Sequence, residues 1–172
     1  MPRSPLNNPI LVVKRNLFRA NPKIYLNTNG HSGIDIWSPL GEDWFACVPG
    51  VVHLFNRFVW QWGLGLGDPS YSRYGAGMAI DWGQTDGFIR IIYGHGRNRR
   101  KELDNRHVPE GKYMLESGNT GFSSGPHQHF EMRRFLNSNI GKFYDGLVKR
   151  RYDLLDPKKE FLVKYKIPYT LA

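Results

Sequence analysis

The sequence predicts a mainly β fold in a single compact domain. Its 172 residues include 19 glycines and 11 prolines, which is typical of a chain with many turns. Apolar residues recur in short runs between these turns, which is the pattern of β-strands. A chain of this length forms one domain that buries roughly 70% of the surface its unfolded chain exposes. We therefore expect one antiparallel β-sheet, with long loops that form a groove beside it and a short helix near the C-terminus.

Short segments along the whole chain carry the strand pattern. The predicted strands are residues 10–13, 34–37, 44–47, 51–60, 77–82, 88–93 and 113–116, and one that begins at His127. The dipeptide Asp86-Gly87 predicts a tight turn between two of them. Residues 63–77 contain five glycines and predict a long surface loop, and residues 139–152 predict the short helix.

The expected domain organisation follows from these segments. Residues 1–24 form an N-terminal arm, residues 25–162 form the domain, and residues 163–172 form a basic, aromatic C-terminal tail. An insertion is expected near residues 133–152, before the end of the domain. No internal repeat or linker divides the chain further.

Composition excludes several classes of protein. Hydrophobic residues make up 40% of the chain and aromatic residues 14%, which excludes a disordered protein. The longest apolar run near the start, residues 10–13, is too short for a signal peptide or a membrane span. Export would then need a removed leader, a holin-like pore or carriage on a virus particle. Cys47 is the single cysteine, so no disulfide forms within the chain.

The charge of the chain favours an anionic partner. Its 24 Lys and Arg against 15 Asp and Glu give a formal net charge of +9 at pH 7. Such a surplus suits an anionic cell-wall polymer, an acidic lipid or nucleic acid. Nucleic acid is the runner-up, because no helix-turn-helix, zinc-finger or stacked-aromatic motif accompanies the basic residues. The alternative is a charged surface that keeps the protein soluble without a specific partner.

Two histidine motifs predict a metal site. His127 and His129 follow a glycine-rich turn, and on a strand they share one face about 7 Å apart, at roughly 3.3 Å of rise per residue. His31 and Asp35 share a face for the same reason. His31, Asp35 and His129 would hold zinc and leave a fourth position for water, as in catalytic rather than structural zinc sites. His127 would then address the water or the substrate, and the sequence indicates a zinc hydrolase.

The order and spacing of several motifs resemble those of one known family. Residues 31–35 read HSGID and match its HxGxD motif, residues 93–95 match a YxH motif, and residues 125–131 match the segment around its HxH motif. On these residues the chain, from about Tyr25 to Leu162, resembles the lysostaphin-type (LytM-like) zinc endopeptidases. These enzymes cut peptide cross-links in bacterial peptidoglycan.

The resemblance implies a role for each motif residue. It implies one Zn²⁺ per chain, held by His31, Asp35 and His129. It makes His95 and His127 the pair that flanks the metal-bound water and the scissile carbonyl. Tyr25, six residues before the first ligand, would contact the substrate or the transition state. The expected place of action is the bacterial cell wall, with the peptidoglycan peptide as substrate.

Departures from the family pattern bear on substrate preference. Gln128 stands where an aliphatic residue is usual, the loop at 63–77 is long, and residues 133–152 look inserted. Glu131 has two interpretations: it orients the His129 ring, or it faces outward from the strand. Two non-enzymatic alternatives are a non-catalytic member of the fold that binds cell wall and a structural component of a virion. The enzyme is favoured because every predicted ligand and both paired histidines are present.

Overall fold

The computed structural model describes residues 2–20, 30–55, 74–121, 123–136 and 152–172. Within these ranges the strands are β1 (Ile10–Val12), β2 (Ile34–Trp37), β3 (Asp43–Phe45), β4 (Gly50–Phe55), β5 (Gly77–Gln84), β6 (Gly87–Gly94), β7 (His107–Val108), β8 (Tyr113–Glu116), β9 (His127–Leu136), β10 (Asp153–Leu155) and β11 (Tyr169–Leu171). Helical segments in the same ranges are short: two 3-10 turns at Lys14–Asn16 and Lys101–Leu103, and a C-terminal helix at Lys158–Val163. No helix in the described ranges has the length and apolar character needed to cross a membrane. The predicted mainly β fold is confirmed.

Strand β9 is the centre of the main sheet. The sheet has the order β11-β1-β2-β9-β6-β5-β4-β7, and β10 also pairs with β9. β6 pairs along one edge of β9, and β2 and β10 share its other edge. All of these pairs are antiparallel except β1 with β11, which is parallel. The sequence predicted a single antiparallel sheet. The structure differs in one parallel pair and in a separate two-stranded sheet of β3 and β8.

Both ends of the chain contribute strands to the main sheet. β1 lies within the predicted arm and β11 within the predicted tail, and they pair with each other. β9 runs to Leu136, so the first residues of the segment interpreted as an insertion continue the central strand. The domain division after residues 24 and 162 stays a prediction. Apart from Tyr152, the helix predicted at 139–152 lies outside the described residues, as does most of the loop at 63–77.

The two faces of the main sheet differ in character. One face buries the apolar side chains Ile34, Ile36, Val52, Met78, Ile80, Ile91, Tyr93, Phe130 and Met132. The C-terminal helix packs Phe161 against Phe130, with ring centroids 5.6 Å apart, and β3 packs Trp44 against Tyr93 at 6.1 Å. Each such burial contributes roughly 1.5–3 kcal/mol. Because side chains alternate along a strand, the intervening residues emerge on the opposite face, where the histidine motifs lie.

Candidate metal centre

The candidate site lies where β2 pairs with β9. Asp35 of β2 is the register partner of His129 of β9, so both side chains leave the same face of the sheet. His31 lies just before β2. Gly33 allows this segment to pack against β9, because a Cβ at that position would lie 2.3 Å from the carbonyl oxygen of Phe130. The glycine of the HSGID motif is therefore required by the close approach of the two strands.

Three donor atoms converge at this point. Asp35 Oδ1 lies 3.3 Å from His31 Nε2 and 3.1 Å from His129 Nδ1. The ligand atoms of the three residues lie within 4.8 Å of one another, and all three side chains are buried. Two imidazole nitrogens and one carboxylate oxygen form a donor set of catalytic zinc sites. The side chains present therefore fit a zinc ion, and its binding by these residues stays a prediction.

The electrostatics of the cluster favour a cation. Burial would raise the pKa of Asp35, but hydrogen bonds with His129 and His31 hold that pKa well below its ordinary value. Burial would likewise lower the pKa of His129, but its hydrogen bonds with Asp35 and Glu131 raise it to about 9. The Asp35 carboxylate is therefore ionised and attracts positive charge. A metal ion held here would require the ligating nitrogen of His129 in its deprotonated form.

Glu131 is buried behind His129 and orients its ring. Its Oε2 accepts a hydrogen bond from His129 Nε2 at 3.1 Å and from the hydroxyls of Ser32 and Tyr74, while Arg133 Nε donates to Oε1. Burial would raise the pKa of Glu131, but the charge of Arg133 and the bond from His129 hold it well below its ordinary value. The ionised carboxylate holds the proton on His129 Nε2, so Nδ1, which faces Asp35, is the nitrogen that can lose its proton and bind a metal ion. Of the two interpretations of Glu131, the structure shows the inward one.

Two more side chains support the predicted ligands. Tyr74 stacks on His129, with ring centroids 4.7 Å apart and an interplanar angle of 19°. Asn16 Nδ2 donates to Asp35 Oδ2 at 2.6 Å, which leaves Oδ1 for the two histidines. Sequence reasoning missed Asn16 because it lies 19 residues before Asp35 and outside any motif. Tyr74 carried only the weak signal of an aromatic residue at the end of a glycine-rich loop.

His95 and His127 lie side by side next to the three donor atoms. Their ring centroids are 4.6 Å apart, and His127 Nε2 lies 3.5 Å from Asp35 Oδ2. His95 Nδ1 donates to the carbonyl of Thr120 at 2.7 Å, and His127 Nδ1 donates to the carbonyl of Gly125 at 2.8 Å. Because a carbonyl oxygen only accepts, each ring carries its proton on Nδ1 and leaves Nε2 able to accept another.

The backbone holds His95 in an uncommon conformation. Its φ is 62°, in the left-handed region that non-glycine residues seldom adopt and that recurs at functional sites. Gly118 allows the glycine-rich turn to approach, because a Cβ there would lie 2.4 Å from the His95 carbonyl oxygen. Burial lowers the pKa of His95 to about 3, and the neighbouring His129 and His127 add to this effect. His95 is therefore a neutral imidazole at ordinary pH.

Five of the six side chains predicted for the site come together in one cluster. They are His31, Asp35, His95, His127 and His129. Tyr25 lies outside the described residues.

Known structures share this arrangement of strands. The catalytic domain of the antimicrobial peptidase lysostaphin from Staphylococcus simulans matches with a TM-score of 0.50 at 23% identity, over 78% of this chain and 80% of that chain. The chain has the lysostaphin-type fold. The resemblance seen in the motifs is thereby confirmed at the level of the fold.

Two further structures with the lysostaphin-type fold are longer than this chain. A Ruminococcus gnavus protein described as a glycyl-glycine endopeptidase has a TM-score of 0.57 at 14% identity, over 98% of this chain and 59% of that chain. A zinc-containing peptidase from Vibrio cholerae has a TM-score of 0.51 at 18% identity, over 76% of this chain and 36% of that chain. The chain thus spans less than two thirds of each of these two proteins. No protein-family model and no curated protein matches the sequence.

Proposed function

We propose that this protein is a zinc-dependent endopeptidase that hydrolyses cross-links or stem peptides of bacterial peptidoglycan. The observation that carries the proposal is the juxtaposition of two groups of side chains on one face of the sheet. His31 Nε2, Asp35 Oδ1 and His129 Nδ1 converge as a zinc-binding set. His95 and His127 lie beside that set, each with Nε2 able to accept a proton.

The roles of the side chains follow from their hydrogen bonds. A zinc ion held by His31, Asp35 and His129 would supply Lewis acidity, which polarises a peptide carbonyl and lowers the pKa of water. His95 and His127 act as a pair that takes the proton from the attacking water and returns one to the leaving amine, so that the peptide C–N bond breaks without a net change in protonation. Glu131 and Asn16 hold His129 and Asp35 in their orientations. Tyr25 is proposed as a contact to the substrate on the resemblance alone.

The substrate class rests on the fold and on charge. One protein that shares the fold is named an antimicrobial peptidase and another a glycyl-glycine endopeptidase, which supports a peptide of the bacterial cell wall as substrate. The net charge of +9 suits adhesion to an anionic wall polymer. The proposed place of action is the cell wall, reached by secretion, by holin-dependent release or on a virion.

Zymography on purified cell walls tests this function. We expect a cleared band that disappears with a zinc chelator and returns when zinc is added back. His127→Ala, loaded with zinc, serves as the control for contaminating hydrolases and should give no band. Clearing that persists in chelator, or an equal band from His127→Ala, would contradict the proposal. Wall binding without clearing would instead support the non-catalytic alternative.

A further inference from the structure

A row of side chains extends from His127 to the edge of the main sheet. His127 of β9 is the register partner of Trp37 of β2, Trp37 is the partner of Leu11 of β1, and Leu11 is the partner of Thr170 of β11. Partners on neighbouring strands place their side chains on the same face. The row lies on the face of the metal centre, since Trp37 is two residues after Asp35 on β2. Strands lie about 4.8 Å apart, so the row reaches about 14 Å from His127.

Trp37 is the exposed member of an otherwise buried strand. The other three residues of β2 are buried, whereas 52% of the Trp37 surface is accessible to solvent. The large apolar side chains that are exposed in the described part of the chain are Trp37, Leu40, Val163 and Leu171. Trp37 is the aromatic one among them, and it lies directly beside a histidine of the candidate site. Tryptophan is also among the residues most enriched at the centres of binding interfaces.

We propose that Trp37 is a substrate-contact residue that holds an extended, uncharged segment of the substrate peptide on one side of the scissile bond. The inference rests on the proposed endopeptidase function, in which His127 faces the reacting carbonyl. A peptide that leaves His127 along the row passes Trp37 and then Leu11. At about 3.3 Å per residue, the row accommodates roughly four residues of extended chain.

The side chains of the row favour an uncharged peptide segment. The row contains an indole, an isobutyl group and a hydroxyl beyond His127, and none of these side chains is charged. A flat apolar ring gains free energy by covering alkyl groups and Cα–H atoms of small residues. A charged side chain laid on Trp37 and Leu11 would lose hydration without an ionic partner in the row. Trp37 therefore favours a segment of small, uncharged residues next to the cleaved bond.

Steady-state kinetics on a soluble wall peptide of defined sequence test this role. Trp37→Ala should raise KM about tenfold or more, as truncation of a binding anchor does, and should leave kcat and zinc content unchanged. Trp37→Phe keeps a flat ring and should restore most of the loss. Val163→Ala is the matched control, because Val163 is 55% exposed and belongs to the helix that packs on the opposite face of the sheet. Its KM should equal that of the wild type.

Calorimetric measurement of the binding of the same peptide distinguishes a failure of the Trp37 role from a failure of the proposed function. If the wild type cleaves the peptide and Trp37→Ala shows an unchanged KM and Kd, the role of Trp37 is overturned and the proposed function stands. A fall in kcat at constant KM would also overturn it, because that pattern belongs to a group acting on the reacting atoms. If the wild type neither binds nor cleaves wall peptides, the proposed function fails, and the role of Trp37 fails with it.

Discussion

In the part of the chain that the structure describes, the metal-site face of the main sheet carries two polar clusters in which an aspartate pairs with histidine. In the metal centre, Asp35 lies between His31 and His129. In the second cluster, Asp81 of β5 binds His53 of β4 and Arg90 of β6. Residue types are similar in the two clusters, although Asp81 is partly exposed and Asp35 is buried, and one of the two is a candidate metal site.

The two aspartates differ in how their oxygens are satisfied. Arg90 donates from Nε to Asp81 Oδ1 at 2.6 Å and from Nη2 to Oδ2 at 2.7 Å, and His53 Nε2 lies 3.1 Å from Oδ2. Asp81 thus has its counter-charge from within the chain. Asp35 is held by the neutral amide of Asn16 and by imidazoles. Among the described residues, no Lys or Arg forms an ion pair with it.

This difference explains why residue types alone do not identify a metal site. A bidentate arginine engages both oxygens of a carboxylate and neutralises its charge, which disfavours a metal cation at the same group. A carboxylate paired with imidazoles can exchange their protons for a metal ion, because an imidazole can give up its proton and offer the nitrogen as a ligand, whereas an arginine stays protonated. We therefore assign Asp81 a structural role.

The largest expected effect is the loss of zinc. His31→Ala or His129→Ala removes one of three donors, so the zinc content should fall from about one per chain to near zero, and hydrolysis should be lost with it. His53→Ala, the matched change in the second cluster, should leave zinc content unchanged. Elemental analysis of the purified variants measures this. Full zinc occupancy in either ligand variant would show that the ligands are assigned wrongly.

The paired histidines should affect turnover and not metal content. His95→Ala and His127→Ala should keep zinc and the fold but reduce kcat by roughly 10²–10⁴-fold, as expected for groups that transfer protons in the transition state. Peptide hydrolysis and elemental analysis of the same samples measure both quantities. Loss of zinc would make the residue a ligand, and turnover like that of the wild type would remove it from the mechanism.

Asp81→Asn should reduce stability and leave zinc content unchanged. Burial would raise the pKa of Asp81, but Arg90 and His53 hold it below its ordinary value. A pKa lowered on folding gives stability that is fully present above the unfolded-state pKa, about 3.9, and that is lost as pH falls through the folded-state pKa. Because the change removes the negative charge that faces the buried Arg90 guanidinium, it should cost roughly 3 kcal/mol at pH 7.

Urea unfolding at pH 7 and pH 3 measures the effect of Asp81→Asn. The difference from the wild type should be smaller at pH 3, since below about pH 3.9 the unfolded wild type takes up a proton at Asp81 and part of the stability from the ionised pair is lost. A difference that stays constant between the two pH values would contradict the ionised pair. A loss of zinc would contradict the structural role of the second cluster.

The residues that orient the ligands should have an intermediate effect. Glu131→Gln removes the carboxylate that holds the proton on His129 Nε2, and should weaken zinc affinity by roughly 10–100-fold. Asn16→Ala, which leaves no buried charge unpaired, should weaken it by about tenfold. Competition with a chromogenic chelator measures both affinities. Glu116→Gln is the matched control, since Glu116 pairs with Arg97 near the surface, and an equal loss there would contradict the assignment.

The smallest expected effect concerns surface charge. Salt screens charges on the surface much more than charges in buried clusters. Exposed charges are screened within about 8 Å at physiological ionic strength, so raising the salt to about 0.5 M should slow wall lysis a few-fold. Cleavage of a short neutral peptide should change much less. Parallel rate measurements on cell walls and on the peptide test this. Equal salt sensitivity in both would mean that the charge of +9 does not assist adhesion to the wall.

Local alternation of apolar and polar residues predicted the strands around the site. β2, β5, β6 and β8 lie within a residue or two of the predicted segments, and β9 begins at His127 as expected. Alternation is a property of neighbouring residues, so it is readable without the fold. Alternation does not predict which strands pair. The parallel pair of β1 with β11 joins two segments that the sequence interpretation assigned to an arm and a tail.

The sequence by itself determined which side chains could bind a metal ion and which of them share a face within each motif. Because side chains alternate along a strand with a period of two residues, His127 and His129 share a face. Tertiary structure decided that Asp35 lies opposite His129, a contact between residues 94 apart, and that Glu131 and Asn16 complete their hydrogen bonds. A slip of one residue between β2 and β9 would place Asp35 on the opposite face. Register is set by the packing of the whole sheet, so it cannot be read from a local sequence pattern.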